Sequence, residues 1–280
     1  MTTADVAALS QRAEALRNLH RRGTPLVLFN VWDPVSARIV EEIGAPAIAT
    51  GSAAMAWAHG VADGERISRQ EMLDAVKRIV SAVRVPVTAD LEAAYGQTIL
   101  DASRTAEAAL EAGAAGLNFE DARDDGSLTD LDLQCERIAA ILEAGKRQGA
   151  RLLINARTDV FLKRLGADDG WRTSEAVRRG QAFLQAGADC VFVPGVSDES
   201  IIAELTQRIA GPVNILLTAK APTISRLAQL GVARISVGGA GYAHALWETR
   251  RAARALLVDR DHSFLRDRIA GDEINEFFAR

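Results

Sequence analysis

The sequence predicts an α/β fold: a (β/α)8 TIM barrel with an N-terminal helix and a C-terminal helical extension. Eight short, β-rich apolar runs recur along the chain, and a helical pattern lies between each pair. Several of those helical stretches end in Gly two or three residues before the next run, a C-terminal cap feeding a short loop. The length of 280 residues fits one such barrel with extensions, barrels of this kind taking about 250. No GxGxxG follows the first run and no run reads as an amphipathic edge, so an open doubly wound sheet fits less well.

In chain order, a helix over Asp5–Arg22 precedes the repeating units. The first run, LVLFNV (Leu26–Val31), is followed by Trp32 and Asp33; Asp33 before Pro34 reads as an N-cap with Pro at the first helical position. Then come AIAT (Ala47–Thr50), VPVTAD (Val85–Asp90), GLNFED (Gly116–Asp121), LLINART (Leu152–Thr158), CVFVPG (Cys190–Gly195), VNILLT (Val213–Thr218) and RISVGG (Arg234–Gly239). Between them, SRQEMLDAVKRIVSAV and ERIAAILEAGKRQG carry apolar residues at spacings of three and four, the helical period. The phrases EEIGAPA, LEAGAAG, LQAGADC and AQLGVAR repeat the Gly stop. After a barrel core of about 25–257, the segment Asp261–Arg280 ends in amphipathic DEINEFFAR, which packs on its own barrel or is exchanged with a neighbouring subunit. No Pro-, Ser- or Gly-rich linker divides the chain, so residues 1–280 read as a single domain.

Composition narrows the function classes. With 48% hydrophobic and 25% charged residues the chain is globular rather than disordered or collagenous. Its 33 basic and 37 acidic residues give a net charge of −4, too balanced for a nucleic-acid surface or a polybasic membrane anchor, so small molecules and copies of itself are the expected partners. The opening MTTADVAALS lacks the basic and apolar regions of a secretory signal, which predicts a cytoplasmic protein. The longest uncharged stretch, Ile43–Ala62, contains Pro46, three glycines and His59, and does not read as a membrane span.

In a barrel of this type the site lies where the strands end. Polar residues concentrate at the ends of the third to fifth runs: Asp90, Leu91, Glu92; Asn118, Phe119, Glu120, Asp121; Asn155, Ala156, Arg157, Thr158, Asp159. Strand alternation puts Glu92 on the same side as Asp90, Glu120 with Asn118, and Arg157 with Asn155. Any one of these acids alone reads as a helix cap or a surface ion-pair partner. Three converging on one mouth with a guanidinium are costly without a cation, because like charges at close range do not all stay ionised. Oxygen-only ligation without His or Cys suits Mg²⁺ or Mn²⁺ completed by waters.

The phrases NVWDPVSA, AIATGSAAMAWAHGVADGE, PVTADLEAAYG, GAAGLNFED and INARTD, in this order on these strands, resemble the isocitrate lyase / phosphoenolpyruvate mutase superfamily over residues 25 to about 240. The resemblance implies a Mg²⁺-dependent barrel, usually a tetramer of dimers that exchange their last helix, acting on C–C or P–C bonds of 2-oxo or 2-hydroxy acids. Position by position, Asp90 resembles the direct metal ligand, and Asp63, Glu92 and Glu120 the acids that hold metal-bound waters. Arg157 resembles the arginine that grips the substrate carboxylate or its enolate, and Ser52, with the backbone of Gly51 and Ala53, the turn that binds the remaining carboxylate oxygens.

Departures from that pattern discriminate among reactions. Lyases of the isocitrate type carry a KKCGH-like loop after the fourth strand; here the stretch reads ARDDGSLTDLD, without Lys, Cys or His, and the phosphonomutase-type loop is missing as well. Glu92 stands where many members have Asp. Retro-aldol cleavage needs a base and then an acid, whereas decarboxylation of a 3-carboxy-2-oxo acid needs only an electron sink, so decarboxylase-like chemistry gains ground. Tyr95 and His59 are candidate substitute acids or bases, set against a packed Tyr and a surface His. Cys135 and Cys190 read as small buried hydrophobes. Gly238, Gly239 and Gly241 occupy the usual phosphate position of barrels or serve close packing, and Lys220 is a lone solvated Lys or a carboxylate contact.

The reading is therefore a Mg²⁺-dependent lyase cleaving a C–C bond of a small 2-oxo or 2-hydroxy dicarboxylic acid through an enolate, isocitrate lyase-like or oxaloacetate decarboxylase-like. The alternatives are P–C chemistry on a phosphonopyruvate-like substrate and a 2-oxo acid-binding barrel without catalysis.

Overall fold

The first apolar run is broken in two, and that break closes the sheet. In the computed structural model, which describes residues 2–279, the run forms β1 (Leu26–Leu28) and β2 (Asn30–Val31) on either side of Phe29. β1 pairs in parallel with β9 (Arg234–Ser236), and β2 with β3 (Ile48–Thr50). Between them run β4 (Val87–Asp90), β5 (Gly116–Glu120), β6 (Leu153–Arg157), β7 (Cys190–Phe192) and β8 (Val213–Leu216), giving the order β1-β9-β8-β7-β6-β5-β4-β3-β2. The eight predicted runs thus appear as nine parallel strands of a TIM-type barrel.

Helices surround it. α2 (Pro34–Glu42) starts at Asp33, whose side chain accepts from Ser36 N–H while the Ser36 hydroxyl answers the Asp33 N–H. Similar reciprocal caps, Ser68 with Glu71 and Thr98 with Asp101, start α4 (Arg69–Ala82) and α5 (Ile99–Glu111). Single Asp caps start α6 (Leu131–Arg147), α7 (Asp169–Gln185) and α8 (Glu199–Arg208), and Thr223 caps α9 (Ile224–Gln229). The predicted Gly stops are real: Gly44, Gly113, Gly187 and Gly231 all have φ between 83° and 106°, the left-handed backbone a side chain resists. Two helices start at glycine without a side-chain cap, α3 (Ser52–Ala58) at Gly51 and α10 (Ala240–Arg254) at Gly239.

The extensions differ in detail from expectation. α1 spans Thr3–Asn18 rather than Asp5–Arg22, because Thr2 and Asp5 form a reciprocal cap one turn earlier. Its Ala13 and Leu16 pack with Leu26, Leu28, Ala47, Ala49, Ala115 and Leu153, plugging the N-terminal end of the barrel. The predicted Asp261–Arg280 segment is a 3₁₀ turn (Ser263–Asp267) and α11 (Gly271–Glu276), its last residue lying outside the described ones. α11 lies against its own chain, where the buried Phe277 shares a cleft with Arg38 and Glu41 of α2. Among the described residues no helix is long and apolar enough to cross a membrane.

Alternation divides the core. Leu117, Phe119, Ile154 and Ala156 face the helices within one apolar cluster. Asn118, Asn155, Asn214 and Arg234 are buried polar residues bound to one another or to neighbours within the barrel, so its interior is polar. Arg234 is fully buried; one guanidinium nitrogen donates to Asn118 Oδ1 at 3.3 Å, while Nε and Nη1 have no protein partner. Burial pulls its pKa down to about 10.

Candidate active site

The mouth is built on hydrogen-bonded registers that the alternation anticipates. Asn118 lies opposite Asn155 and Glu120 opposite Arg157 across β5 and β6, and Asp90 opposite Asn118 across β4 and β5. Asn155 Nδ2 donates to Asn118 Oδ1 at 2.8 Å, which turns the Asn118 amide so that its Nδ2 donates to Asp90 Oδ1 at 3.2 Å. Asp90 Oδ2 accepts the N–H and hydroxyl of Ser52 at 3.1 and 2.9 Å. Asp90 therefore has neutral donors on both oxygens and, among the described residues, no Lys or Arg partner within 4.0 Å.

Arg157 is held from two sides. Glu120 lies 2.7 Å from Nη1, and Asp159 takes Nε and Nη2 at 2.6 and 2.9 Å in the two-point geometry of a planar guanidinium. Its guanidinium also sits 5.8 Å over the Phe192 ring. Despite burial, Glu120 and Asp159 raise the pKa of Arg157, so it stays charged. For Glu120, burial pushes the carboxyl up, Arg157 pulls it down, and Asp159, Asp90 and Glu92 push it up again. The Asp159 backbone is fixed in turn, its N–H donating to the fully buried Asp121, which also accepts from Arg179 of α7 at 3.2 Å. Burial pushes Asp121 up to about 6 against that arginine.

Glu92 reaches the mouth by a route that alternation does not describe. β4 ends at Asp90, and Glu92, Ala94 and Tyr95 then have φ of 50°, 69° and 56°. Left-handed backbone at non-Gly residues costs about 1–2 kcal/mol each, so something must hold it. The buried Arg137 of α6 donates to the carbonyls of Ala93 and Gly96 at 2.5 and 2.6 Å, and Glu65 accepts the N–H groups of Ala93 and Tyr95 at 3.1 and 2.7 Å. Glu92 then accepts the Glu65 N–H at 2.9 Å. Burial, with Asp90 and Asp63 nearby, pushes its carboxyl up to about 8. Asp63 stands at the exposed rim, its pKa also raised, first by burial and then by Asp90.

A cavity of about 210 Å³ opens on the outer side of these groups, lined by Asp63, Glu65, Glu92, Glu120 and Asp124 and by Arg66, Arg123 and Lys163, with Asp90 and Arg157 behind Glu92 and Glu120 rather than in its lining. Five acids face three bases there, so a divalent cation would balance the lining, and the upward-shifted acids are those a cation would relieve. Among the described residues no three acidic, His or Cys side chains form a direct metal cage. The fit rests on the donor set instead: carboxylate oxygens without His or Cys are what Mg²⁺ or Mn²⁺ takes, one or two of them with waters completing the shell. The residues present fit such an ion.

Other candidates resolve differently. Gly51 is a turn former rather than a ligand donor, since its N–H donates to Val31 O at 3.0 Å inside the sheet. Ala53 lies in the uncapped first turn of α3. His59 is exposed and bonded to Met55 O, and Lys220 is exposed. Tyr95 packs on the apolar core with its hydroxyl buried and unpartnered, and burial raises its pKa, so it holds its proton. A side chain at Gly239 would strike Trp57, and one at Gly241 would strike Phe29, so close packing accounts for both. Gly238 N–H donates to Asn30 Oδ1 at 2.9 Å. Cys190 is buried with its thiol pushed up to about 12, and Cys135 is half-buried. Sequence reasoning assigned no role to Asp159, Glu65, Arg123, Lys163 or Arg234. Asp159 stood in the polar set ending the fifth run and Arg234 opened the eighth, and the signals that could have given them roles are an acid two residues past Arg157 and an arginine opening an apolar run.

Comparison with known proteins places the chain in a family. The family profile for phosphoenolpyruvate phosphomutase matches residues 16–257. An oxaloacetate decarboxylase of Pseudomonas entomophila is 31% identical over 246 residues, covering 84% of this chain and 81% of that protein. A candidate phosphonomutase structure from Burkholderia cenocepacia is 41% identical with a TM-score of 0.84, covering 88% of this chain and 98% of that one. The structure of 2,3-dimethylmalate lyase, from the PEP mutase/isocitrate lyase superfamily, is 26% identical with a TM-score of 0.82, covering 96% and 94% of the two chains.

Proposed function

The chain belongs to the phosphoenolpyruvate phosphomutase family and is an enzyme of the lyase and mutase type found there, and from that premise we propose that it is a Mg²⁺-dependent lyase cleaving a C–C bond of a small 2-oxo or 2-hydroxy dicarboxylic acid. The observation that carries the reading is the pairing of Arg157, charged and fixed by Glu120 and Asp159, with Asp90, which has only neutral donors. A guanidinium beside carboxylates that await a cation is a place for an oxo acid that is itself an anion.

Asp90 would hold the ion directly, with Asp63, Glu92 and Glu120 reaching it through water. When bound, Mg²⁺ or Mn²⁺ would neutralise the adjacent oxygens of the acid as a Lewis acid. Arg157 would bind the substrate carboxylate or the oxygen that gains charge as the enolate forms, a contact that strengthens as the C–C electron pair moves onto that oxygen. Ser52 and Asn118 keep the Asp90 carboxylate in one plane, and the polar mouth orients the substrate. The loop after β5 folds as a tight turn, Ala122 bridging Leu128, and carries no Lys, Cys or His. This favours loss of CO₂, which needs only stabilisation of the enolate, over retro-aldol cleavage, which needs a base on the hydroxyl. The decarboxylase among the relatives supports the same choice. P–C chemistry on a phosphonopyruvate-like acid is the second reading, supported by the 41% identical candidate phosphonomutase.

The exposed Leu246, Trp247, Leu256, Leu257 and Val258 support association of subunits, and we expect a homotetramer in the cytoplasm. The deciding experiment is the thermal shift of chelator-treated protein with oxalate, a planar enolate mimic, with and without Mg²⁺. A shift that needs both supports the site, and turnover of 2-oxo diacids then separates C–C from P–C chemistry. Absence of any shift would overturn the reading.

A further inference from the structure

The same cavity holds three cations that the reading above does not use. Arg66, Arg123 and Lys163 line it with Glu92 and Glu120, yet among the described residues none of the three has a carboxylate within 4.0 Å, although five acids share the space. Arg157 is different: its Nε, Nη1 and Nη2 are all engaged by Glu120 and Asp159. It can serve one end of a ligand and has nothing left for a second.

Arg123 and Lys163 are presented by hydrogen-bonded turns that leave the two strands of the site. Arg123 lies three residues past Glu120, in the turn where its N–H donates to Ser127 O and its carbonyl accepts from Gly126, both at 3.0 Å. Lys163 lies six residues past Arg157, on a turn anchored by the buried Val160 and Phe161, with its N–H donating to Asp159 O at 2.8 Å. Glu120 and Arg157 are direct neighbours across β5 and β6, so the two turns rise side by side over the cavity. The lining thus carries Arg66 beside Asp63 and Glu65 on one side, and Arg123 and Lys163, with Asp124, on the turns that follow β5 and β6.

We propose that Arg123 and Lys163 form a second anion subsite, which receives the distal anionic end of the substrate and makes the enzyme selective for acids with two anionic ends. The inference rests on the enolate-site reading and extends it by assigning the far end of the ligand. Lys163 supplies an ammonium and Arg123 a planar guanidinium, and both make charge-assisted hydrogen bonds to a carboxylate or a phosphonate. An acid with a single anionic end leaves both cations in water and gains nothing from them.

The test is calorimetric affinity in saturating Mg²⁺ for three probes: oxalate, which has no distal end; 3,3-difluorooxaloacetate, with a distal carboxylate; and 3-sulfopyruvate, whose sulfonate stands in for a phosphonate without transfer. Arg123→Met and Lys163→Met should each weaken binding of a distal-ended probe about tenfold, or about 1.4 kcal/mol, while oxalate affinity changes less than about twofold. Lys163→Arg should restore most of the loss, which a packing defect would not allow. Loss with both distal probes assigns the subsite to either anion, and loss with only one identifies which end it takes. Unchanged affinity for both distal probes, or an equal loss for oxalate, overturns the subsite. If the parent protein itself binds no oxalate in Mg²⁺, the enolate-site reading falls, and the subsite falls with it.

Discussion

Removing divalent cations and raising the pH should weaken the fold, and Glu92 is the residue through which this acts. Its carboxyl is pushed up to about 8 by burial first and then by Asp90 and Asp63. Between the ordinary carboxylate range and that value, the folded protein keeps a proton that the unfolded chain has released. Stability is therefore greatest below that window and is lost as pH rises through it, at about 1.4 kcal/mol per pH unit for one group. The full window sets a ceiling of about 4–5 kcal/mol, and relaxation on the open side of the cavity, where Asp63 is exposed, lowers the expectation to about 2–3. The assay is urea unfolding of chelated protein at a series of pH values, comparing midpoints at constant slope. Glu92→Gln keeps an acceptor for the Glu65 N–H and should flatten the dependence. Mg²⁺ at a hundred times its dissociation constant should add about 2.7 kcal/mol and flatten it too. Parallel pH profiles for Glu92→Gln and the chelated parent would refute the argument.

Three further outcomes are expected. Asp90→Asn keeps the side chain's shape but removes the charge and turns one acceptor into a donor facing Ser52 or Asn118, so calorimetric Mg²⁺ affinity should fall at least about tenfold while unfolding in chelator costs no more than about 1–3 kcal/mol. Arg157→Lys loses the two-point contact with Asp159, and oxalate affinity should drop about a hundredfold with Mg²⁺ binding retained; equal oxalate affinity would remove Arg157 from the site. Asp121→Ala removes one of the two carboxylates on the buried Arg179, Glu175 remaining at 2.8 Å, and leaves the Asp159 N–H without its acceptor, which should cost about 1–3 kcal/mol in urea unfolding.

Where the backbone is regular, the site was legible in the sequence. β5 and β6 are straight five-residue strands, so a period of two suffices to place Asn118 with Glu120 and Asn155 with Arg157. The same regularity fails after β4, where Glu92 arrives through a left-handed loop clamped by Arg137, a residue 45 positions away on another element. Asp63 had no signal of its own and was reached only through resemblance. Gly51 was read as a donor because its phrase suggested it, but its N–H is spent inside the sheet.

By itself the sequence determined the repeating strand-and-helix order, the Asp33 cap and the Gly stops that bound helices, and the set of acids and arginine at adjacent strand ends. These depend on local spacing and on single-residue preferences, which a chain displays before it folds. The tertiary structure decided which of those polar groups are partners: Arg157 with Asp159 as well as Glu120, Asp90 with Ser52, and Arg234 with Asn118 across the barrel; it also brought Lys163 and Arg123 to the lining of one cavity. Such choices depend on burial and on distances between segments far apart in the chain. Electrostatic and hydrogen-bond energies change steeply with both, so they acquire values only once the barrel has closed.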